Sequence, residues 1–435
     1  MNSGLKIAII GSGPAGMYTA GALIARCEGC HIDILDKLAT PYGLVRAGVA
    51  PDHQTTKNVS RAYDKIMENE NVRFVGNLNF GTDISLQTIR DLYDVVILAI
   101  GTPKDKTLGI SGEDKSGVFG AQTFVYWYNG HPEYRDAVPD LNAKNAIIIG
   151  NGNVALDVAR VLFRSRNEMQ NSDLADHAGE MIFASPLDTV HVVGRRGPEN
   201  VQFSSKELRE LGDMENADPF CDPAVIPDHF SSDDRKQDKV VNTNLDLLRS
   251  YSTNVENGSK LALHLDFLLS PIEIIGGDTI TAVRFEKNKL VDGKPVGTGE
   301  IVDIPCDLLV TCIGYEMANF EELPIEKGVL KNDDGWVDDS LYVVGWAKRG
   351  PSGTIGTNRI DSQNVVDRII EDYCALPASQ KSGGAGLDAY CKANNVRTVS
   401  FEEWKKINQA EQERAADPSP RRKFVRTRDM LSLLN

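Results

Sequence analysis

Residues 7–16 read Ile7-Ala8-Ile9-Ile10-Gly11-Ser12-Gly13-Pro14-Ala15-Gly16. Four apolar residues in a row predict a strand buried on both faces, as in a parallel sheet. The run passes directly into Gly-x-Gly-x-x-Gly, and Met17–Arg26 continues with a helical pattern. A helix that starts on such a turn offers free N–H groups and a positive dipole end to a phosphate. Gly11 permits the tight turn, Gly13 admits a pyrophosphate close to the backbone, and Gly16 lets helix and strand pack, with Pro14 and Ala15 between them. Ile32–Leu35 predicts a second strand, closed by Asp36 about twenty residues after Gly16, where a carboxylate meets a ribose hydroxyl. This stretch predicts a dinucleotide site.

A second such fold begins at Asn145. Ala146–Ile149 predicts a strand, Gly150-Asn151-Gly152-Asn153-Val154-Ala155 is the GxGxxA variant, and Leu156–Arg166 continues as helix. The next strand, Val190–Gly194, ends in Arg195-Arg196 rather than in an acid. Guanidinium groups accept the 2′-phosphate of NADP, where a carboxylate would hold the 2′-hydroxyl of NAD. Two dinucleotide folds predict two dinucleotides, FAD at the first and NADP(H) at the second. Hydride transfer between them follows, with the cofactors supplying the chemistry.

The rest of the chain fits around these folds. Thr40–His53 is an irregular loop with two glycines and two prolines, too apolar for a plain connection. A helix is expected at about 55–69, strands at 72–80 and 94–101, and a polar excursion over 167–187. Residues 199–257 read as helices and loops, followed by strands near 261–270, 282–289 and 308–313. A strand over 339–345 and a helix from Asn358 return to the first fold. Residues 377–386 read as a flexible surface loop, and the tail, with Trp404, a basic run at Arg421–Lys423 and Met430–Leu434, is expected to fold back as a final helix. The expected class is α/β, with two Rossmann-like domains, the NADP domain inserted into the FAD domain. The boundaries are 1–104 and 313–435 for the FAD domain and 105–312 for the NADP domain.

Composition sets limits. A net charge of −15 over 435 residues argues against nonspecific nucleic-acid binding. No apolar run approaches the ~20 residues of a membrane span, so no membrane partner is expected. The first strand starts almost at once, without a targeting segment ahead of it, which predicts a cytoplasmic protein. Seven scattered cysteines suit reduced thiols. Cys27-Glu-Gly-Cys30 has redox-pair spacing, but it closes the first helix, ~15–20 Å from the pyrophosphate end, and reads as structural. No metal motif is present.

Five segments carry a family resemblance: Gly43–His53, Gly152–Arg160, Val193–Pro198, Lys206–Glu210 and Gly345–Ile355. Over nearly its whole length the chain resembles the adrenodoxin-reductase-like ferredoxin–NADP reductases, of the glutathione-reductase fold group. One departure is Asp36, where the family usually has Glu, one methylene longer. The resemblance implies FAD contacts from Ala15, Asp36, Gly43, Leu44, Phe80, Trp346, Gly353, Thr354 and Ile355. It implies NADP(H) contacts from Asn151, Gly152, Asn153, Val154, Arg195, Arg196, Glu207 and Gly353. His53 and Glu207 match the family's polar pair near the nicotinamide–flavin junction, positioning and tuning rather than transferring the hydride. By chemistry alone, a loop histidine is more often simply hydrogen-bonded.

The implied reaction is NADPH:ferredoxin reduction, a hydride passing to flavin N5 and single electrons passing on to a ferredoxin. No cluster-binding cysteine array is visible, so the iron–sulfur centre belongs to the partner. Lys206 with Arg209, and Arg235 with Lys239, sit at helical spacing and predict a cationic docking face for an acidic ferredoxin. Two rival readings stand beside this one. A pyridine-nucleotide disulfide reductase requires a cysteine pair at the flavin. A non-catalytic flavin-binding sensor requires FAD without NADPH oxidation.

Overall fold

The computed structural model describes residues 4–256, 258, 260–317, 323–373 and 379–435. They form two compact units. The first comprises Met1–Val49, His53–Lys104 and Tyr315–Asn435, and the second Ala50–Asp52 and Asp105–Gly314.

The sheet of the first unit has six strands, in the order Trp336–Asp338, Leu341–Val343, Val95–Leu98, Lys6–Ile10, His31–Leu35 and Val72–Val75. Every neighbouring pair is parallel except Trp336–Asp338 with Leu341–Val343. The central strand pairs Ile9 with Ile34 on one side and with Ile97 on the other. Its run of apolar residues follows from cover on both faces. Met17 and Leu23 of the Pro14–Arg26 helix, Val365 and Ile369 of the Thr357–Tyr373 helix, and Phe401, Trp404 and Ile407 pack one side. Ile89 and Leu387 of the Leu86–Leu92 and Gly384–Ala393 helices pack the other. The strand order reverses at Lys6–Ile10, which places a ligand crevice beyond its carboxyl end.

The second unit repeats this plan in the order Val118–Gly120, Leu308–Thr311, Asn145–Ile149, Thr189–Val193, Leu261–Asp266, Ala217–Cys221, all parallel. Helices cover one face, with Trp127, Leu156, Ala159, Leu208 and Leu248 in the core. A three-stranded antiparallel sheet of Leu269–Gly276, Ile280–Val291 and Lys294–Pro305 covers the other. Its Ile274, Val283 and Phe285 meet Ile147, Ile149 and Leu309.

The structure departs from the sequence reading in several places. The 261–270 stretch is two strands, separated at Leu268, which adopts φ 59°. Ala217–Cys221 is a strand inside a stretch read as helices and loops. The 167–187 excursion holds a helix, Asp176–Ala184. The helix expected at 55–69 is two pieces, Gln54–Lys57 and Ser60–Met67, and the strand at 72–80 stops at Val75. The second glycine-loop helix runs Asn153–Phe163 rather than 156–166. Within 377–386, residues 377 and 378 lie outside the described residues, and a helix starts at Gly384. The final helix is Thr427–Ser432.

Candidate functional site

Gly13 caps the Pro14–Arg26 helix in extended backbone, φ −70° and ψ −178°, with Pro14 in the first turn. A Cβ on Gly16 would run into the Gly11 carbonyl oxygen, and one on Gly11 into the Ala99 carbonyl. Those two glycines are demanded by the protein's own packing. Gly13 is not. The nearest atom to its absent Cβ is Gly43 Cα, at 4.0 Å. Room and an ordinary φ mean that the need for glycine there comes from outside the chain, as expected where a phosphate approaches the backbone. Gly152 repeats the case as N-cap of the Asn153–Phe163 helix, with φ −112° and nothing within 4 Å of its Cβ position. Gly150 is instead packed against the Cys312 carbonyl. Both loops therefore fit a dinucleotide pyrophosphate.

Asp36 follows the His31–Leu35 strand and turns back to the first loop. Its carboxylate accepts the Ser12 N–H at 2.9 Å, the Ser12 hydroxyl at 2.5 Å and the Leu38 N–H at 2.9 Å. Burial pushes this carboxyl up from its ordinary range, against the pull of the Ser12 and Leu38 donors. Tyr42 N–H donates to the Ser12 carbonyl at 3.2 Å, which lays Gly43 along the loop. A Cβ on Gly43 would come within 3.0 Å of Gly13 Cα. Leu44 opens the Leu44–Ala47 turn, and Arg46 of that turn pairs with Glu411 through Nη1–Oε2 at 2.9 Å and Nη2–Oε1 at 2.6 Å. Glu411 is fully buried. The Arg46 guanidinium also lies over Trp404, 5.1 Å from the ring centroid.

On the other side of the first loop, the Ser362 hydroxyl donates to the Ala15 carbonyl at 3.1 Å. A Cβ on Gly345 would crowd that of Ala15. Trp346 follows, stacked on Tyr315 with centroids 5.9 Å apart. Gly353, Thr354 and Ile355 lead into the Thr357–Tyr373 helix, where Thr354 N–H donates to Thr357 Oγ1 at 3.0 Å. Phe80 is half-buried and packs on the cluster that holds Val75, Leu78 and Ile84. Gly11–Gly16, Asp36, Gly43, Leu44, Gly345 and Trp346 thus gather around the carboxyl end of the central strand.

In the second unit, Asn153 Oδ1 accepts the Ser204 N–H at 2.8 Å and the Asn151 carbonyl accepts the Gln202 N–H at 2.7 Å. Val154 packs half-buried against the core. Arg195 and Arg196 follow the Thr189–Val193 strand, exposed, and among the described residues neither guanidinium has a hydrogen bond or ion pair. Their backbone is fixed from the antiparallel sheet. Asn288 Nδ2 donates to the Arg195 carbonyl at 2.9 Å and to Ser270 Oγ at 2.8 Å, and Leu268 N–H donates to the Arg196 carbonyl at 3.2 Å.

Glu207 lies nearly buried in the Ser205–Gly212 helix, its N–H donating to Ser204 Oγ at 3.3 Å. Arg160 Nη1 donates to its Oε2 at 3.1 Å. His53 belongs to the first unit, as the residue that opens the Gln54–Lys57 helix. Arg46, Glu411, Asn288 and Arg160 went unmarked in the sequence. Each acts through a partner so distant along the chain that no local pattern records it, although Arg46 and Arg160 lie inside matched motifs.

Cys27 caps the end of the first helix, at the opposite terminus from the Gly11–Gly16 loop, and both Cys27 and Cys30 are free thiols. A hydrogen bond with Cys30 draws the Cys27 thiol down to about 7, and the Cys30 thiol is pushed up by the same contact and by burial. Burial pushes Cys221 and Cys306 up to about 12 and raises Cys312 and Cys391 as well. Cys374 lies outside the described residues.

A mostly parallel and a parallel sheet, each feeding a glycine loop open at its second glycine, and an arginine pair after the second with no ion pair among the described residues, define an oxidoreductase of the two-dinucleotide class. Residues 5–196 match the pyridine nucleotide-disulphide oxidoreductase family. The chain is 38% identical to NADPH:adrenodoxin oxidoreductase, mitochondrial, of Arabidopsis thaliana, over 98% of this chain and 95% of that one. It is 36% identical to NADPH-ferredoxin reductase FprA of Mycobacterium leprae, over 98% and 97%. The structure of Mycobacterium tuberculosis FprA in complex with NADPH superposes with a TM-score of 0.94 at 35% identity, covering 100% of this chain and 99% of that one. The chain belongs to the adrenodoxin-reductase-like ferredoxin–NADP reductase family.

Proposed function

We propose that this protein is an FAD-dependent NADPH:ferredoxin oxidoreductase, its first unit holding FAD and its second NADP(H). The observation that carries the reading is the pair of glycines, Gly13 and Gly152, that the chain itself does not require. Bound FAD would accept a hydride from NADPH and release the electrons singly to an iron–sulfur ferredoxin. The residues bind, orient and tune. Gly11, Gly13, Pro14, Ala15 and Gly16 form the turn and helix start that receive the FAD pyrophosphate, with Ala15 and Gly16 offering helix N–H groups, and Asp36 faces its ribose. Gly43, Leu44, Phe80, Trp346, Gly353, Thr354 and Ile355 line the rest of that cofactor. Gly150, Asn151, Gly152, Asn153 and Val154 cradle the NADP pyrophosphate, Arg195 and Arg196 take its 2′-phosphate, and Gly353 and Glu207 approach its nicotinamide end. His53 and Glu207 tune the meeting point. The test is ferredoxin-dependent cytochrome c reduction by the yellow protein with NADPH and with NADH. Absence of FAD, or equal use of the two nucleotides, would overturn the reading.

The docking face rests on Lys206 and Arg209. Arg209 is exposed without an ion pair among the described residues, and Lys206 is 3.6 Å from Glu210. Arg235 and Lys239 open the Arg235–Tyr251 helix. That helix meets Phe203 at Asn244 and Leu208 at Tyr251. Arg235 and Lys239 thus lie ~14 and ~8 Å before Asn244 along the axis, away from Arg209. Arg209→Glu should slow ferredoxin reduction and flatten its salt dependence while ferricyanide reduction stays near wild type. Equal loss with both acceptors would place the damage in the NADPH site. Among the described residues no helix is long and apolar enough to cross a membrane. A cytoplasmic location is the corresponding proposal, and cell fractionation tests it.

A further inference from the structure

Among the described residues Arg160 is the largest charged side chain with no exposed surface, 0% accessible in the middle of the Asn153–Phe163 helix. Its three nitrogens meet four carboxylates. Nε donates to Asp52 Oδ2 at 2.8 Å, and Nη2 donates to Asp52 Oδ1 at 3.3 Å and Asp157 Oδ1 at 2.8 Å. Nη1 donates to Glu207 Oε2 at 3.1 Å and lies 3.3 Å from Glu210 Oε2. Arg164 Nη1 adds a second cation on Asp52 Oδ2, at 2.9 Å. The planar fork of Arg160 holds several carboxylates at fixed angles at once, which a lysine ammonium on a flexible stem cannot do.

The same helix holds Glu207 twice. Asn153, at its first turn, accepts the Ser204 N–H, and Ser204 Oγ accepts the N–H of Glu207. That fixes the Glu207 backbone. Arg160, about two turns further along, fixes the Glu207 carboxylate. A carboxylate facing water would need neither restraint. A group that must face one atom of a bound nicotinamide needs both.

We propose that Arg160 is a positioning residue, holding the Glu207 carboxylate at the orientation in which it meets the nicotinamide end of NADP(H), and tying it to Asp52, the residue that precedes His53. The inference rests on the placing of Glu207 in the NADP(H) site. Removing the guanidinium would also leave Asp52, Asp157, Glu207 and Glu210 facing one another, with Arg164 on Asp52 and the more exposed Lys206 on Glu210 as partial compensation, and like charges would turn Glu207 away.

The test is a double-mutant cycle of Arg160→Lys and Glu207→Gln in the FAD-loaded protein. It reads kcat/KM for NADPH with ferricyanide, the Kd for NADP+ by difference absorbance, and Tm. Positioning predicts that Arg160→Lys lowers kcat/KM about tenfold or more in the parent but less than about threefold beside Glu207→Gln, a coupling between neighbours acting as one unit. The Kd for NADP+ should show the same non-additivity. Losses that multiply independently in both readouts would overturn the proposal and leave Arg160 a structural ion pair. A Glu207→Gln protein with unchanged kcat/KM and Kd would instead overturn the placing of Glu207, and the proposal with it. Should Arg160→Lys fail to fold, Asp157→Asn loosens the same guanidinium from outside. It should then weaken NADP+ binding only while Glu207 is present, and an equal effect in both backgrounds would refute the inference.

Discussion

Gly13→Ala separates what the fold needs from what the ligand needs. The added methyl would sit 4.0 Å from Gly43 Cα, an ordinary contact, and φ −70° suits alanine. At an N-cap, alanine is less favourable than glycine by roughly 0.5–1 kcal/mol. The stiffer unfolded chain returns about 0.4–1 kcal/mol. The two nearly cancel, so a far-UV CD melt of the protein stripped of FAD should shift by no more than about 2 °C. Binding behaves otherwise. On the proposed placement of FAD the methyl occupies the side of the loop from which the pyrophosphate approaches, and each charge-assisted N–H bond lost would weaken FAD by roughly 10- to 100-fold. The assay is flavin occupancy, from visible absorbance against protein absorbance, beside that melt. Gly16→Ala provides the contrast, since its methyl collides with the Gly11 carbonyl and should lower stability with or without FAD. Full flavin occupancy in Gly13→Ala, or a collapse of its stripped fold, would refute the reasoning.

Replacing Arg195 and Arg196 together by alanine should raise KM for NADPH by about tenfold or more per guanidinium and leave KM for NADH nearly unchanged. Steady-state kinetics at low and high salt check this, because the lost attraction is the screened part. Asn288→Ala should leave the Arg195 carbonyl and Ser270 hydroxyl short of a donor. It should cost about 1–3 kcal/mol in denaturant unfolding and also raise KM for NADPH. Glu411→Gln leaves Arg46 without its buried countercharge and should cost on the order of 3–5 kcal/mol, with reduced flavin retention on gel filtration. Iodoacetamide should modify Cys27 first, its rate rising as pH passes about 7, and Cys30→Ala should move that rise to higher pH.

What could be read in the chain beforehand was whatever is written locally. Ile7–Ile10 with its glycine loop, Ala146–Ile149 with its own, and the Thr189–Val193 strand that leads to Arg195–Arg196 are continuous in sequence, and each declares its element. The antiparallel sheet was only partly legible. Lys294–Pro305 is mostly exposed, so it carries no apolar alternation to mark it as a strand. Ala217–Cys221 contains Pro219 and reads as a loop, yet it closes the edge of the second parallel sheet, where a proline is tolerated. The supports of the candidate site were hidden for a further reason. Asn288 holds Arg195 from 93 positions away and Glu411 holds Arg46 from 365, and periodicity has no access to such separations.

The interruption of the first unit's chain governs the order in which the molecule can be completed on a ribosome. Every strand of the second sheet lies between Val118 and Thr311, so that sheet is finished while the first still lacks two. Until Leu341–Val343 is made, the outer edge of Val95–Leu98, four residues with no surface exposed in the finished fold, stands without its partner. At usual elongation rates the roughly 240 intervening residues take on the order of 10–50 s. An unpaired apolar edge held open that long invites pairing with other chains. Newly made molecules should therefore depend on a holding chaperone, and a stall in translation after Gly314 should favour aggregation of the N-terminal strands over release of a half-finished enzyme.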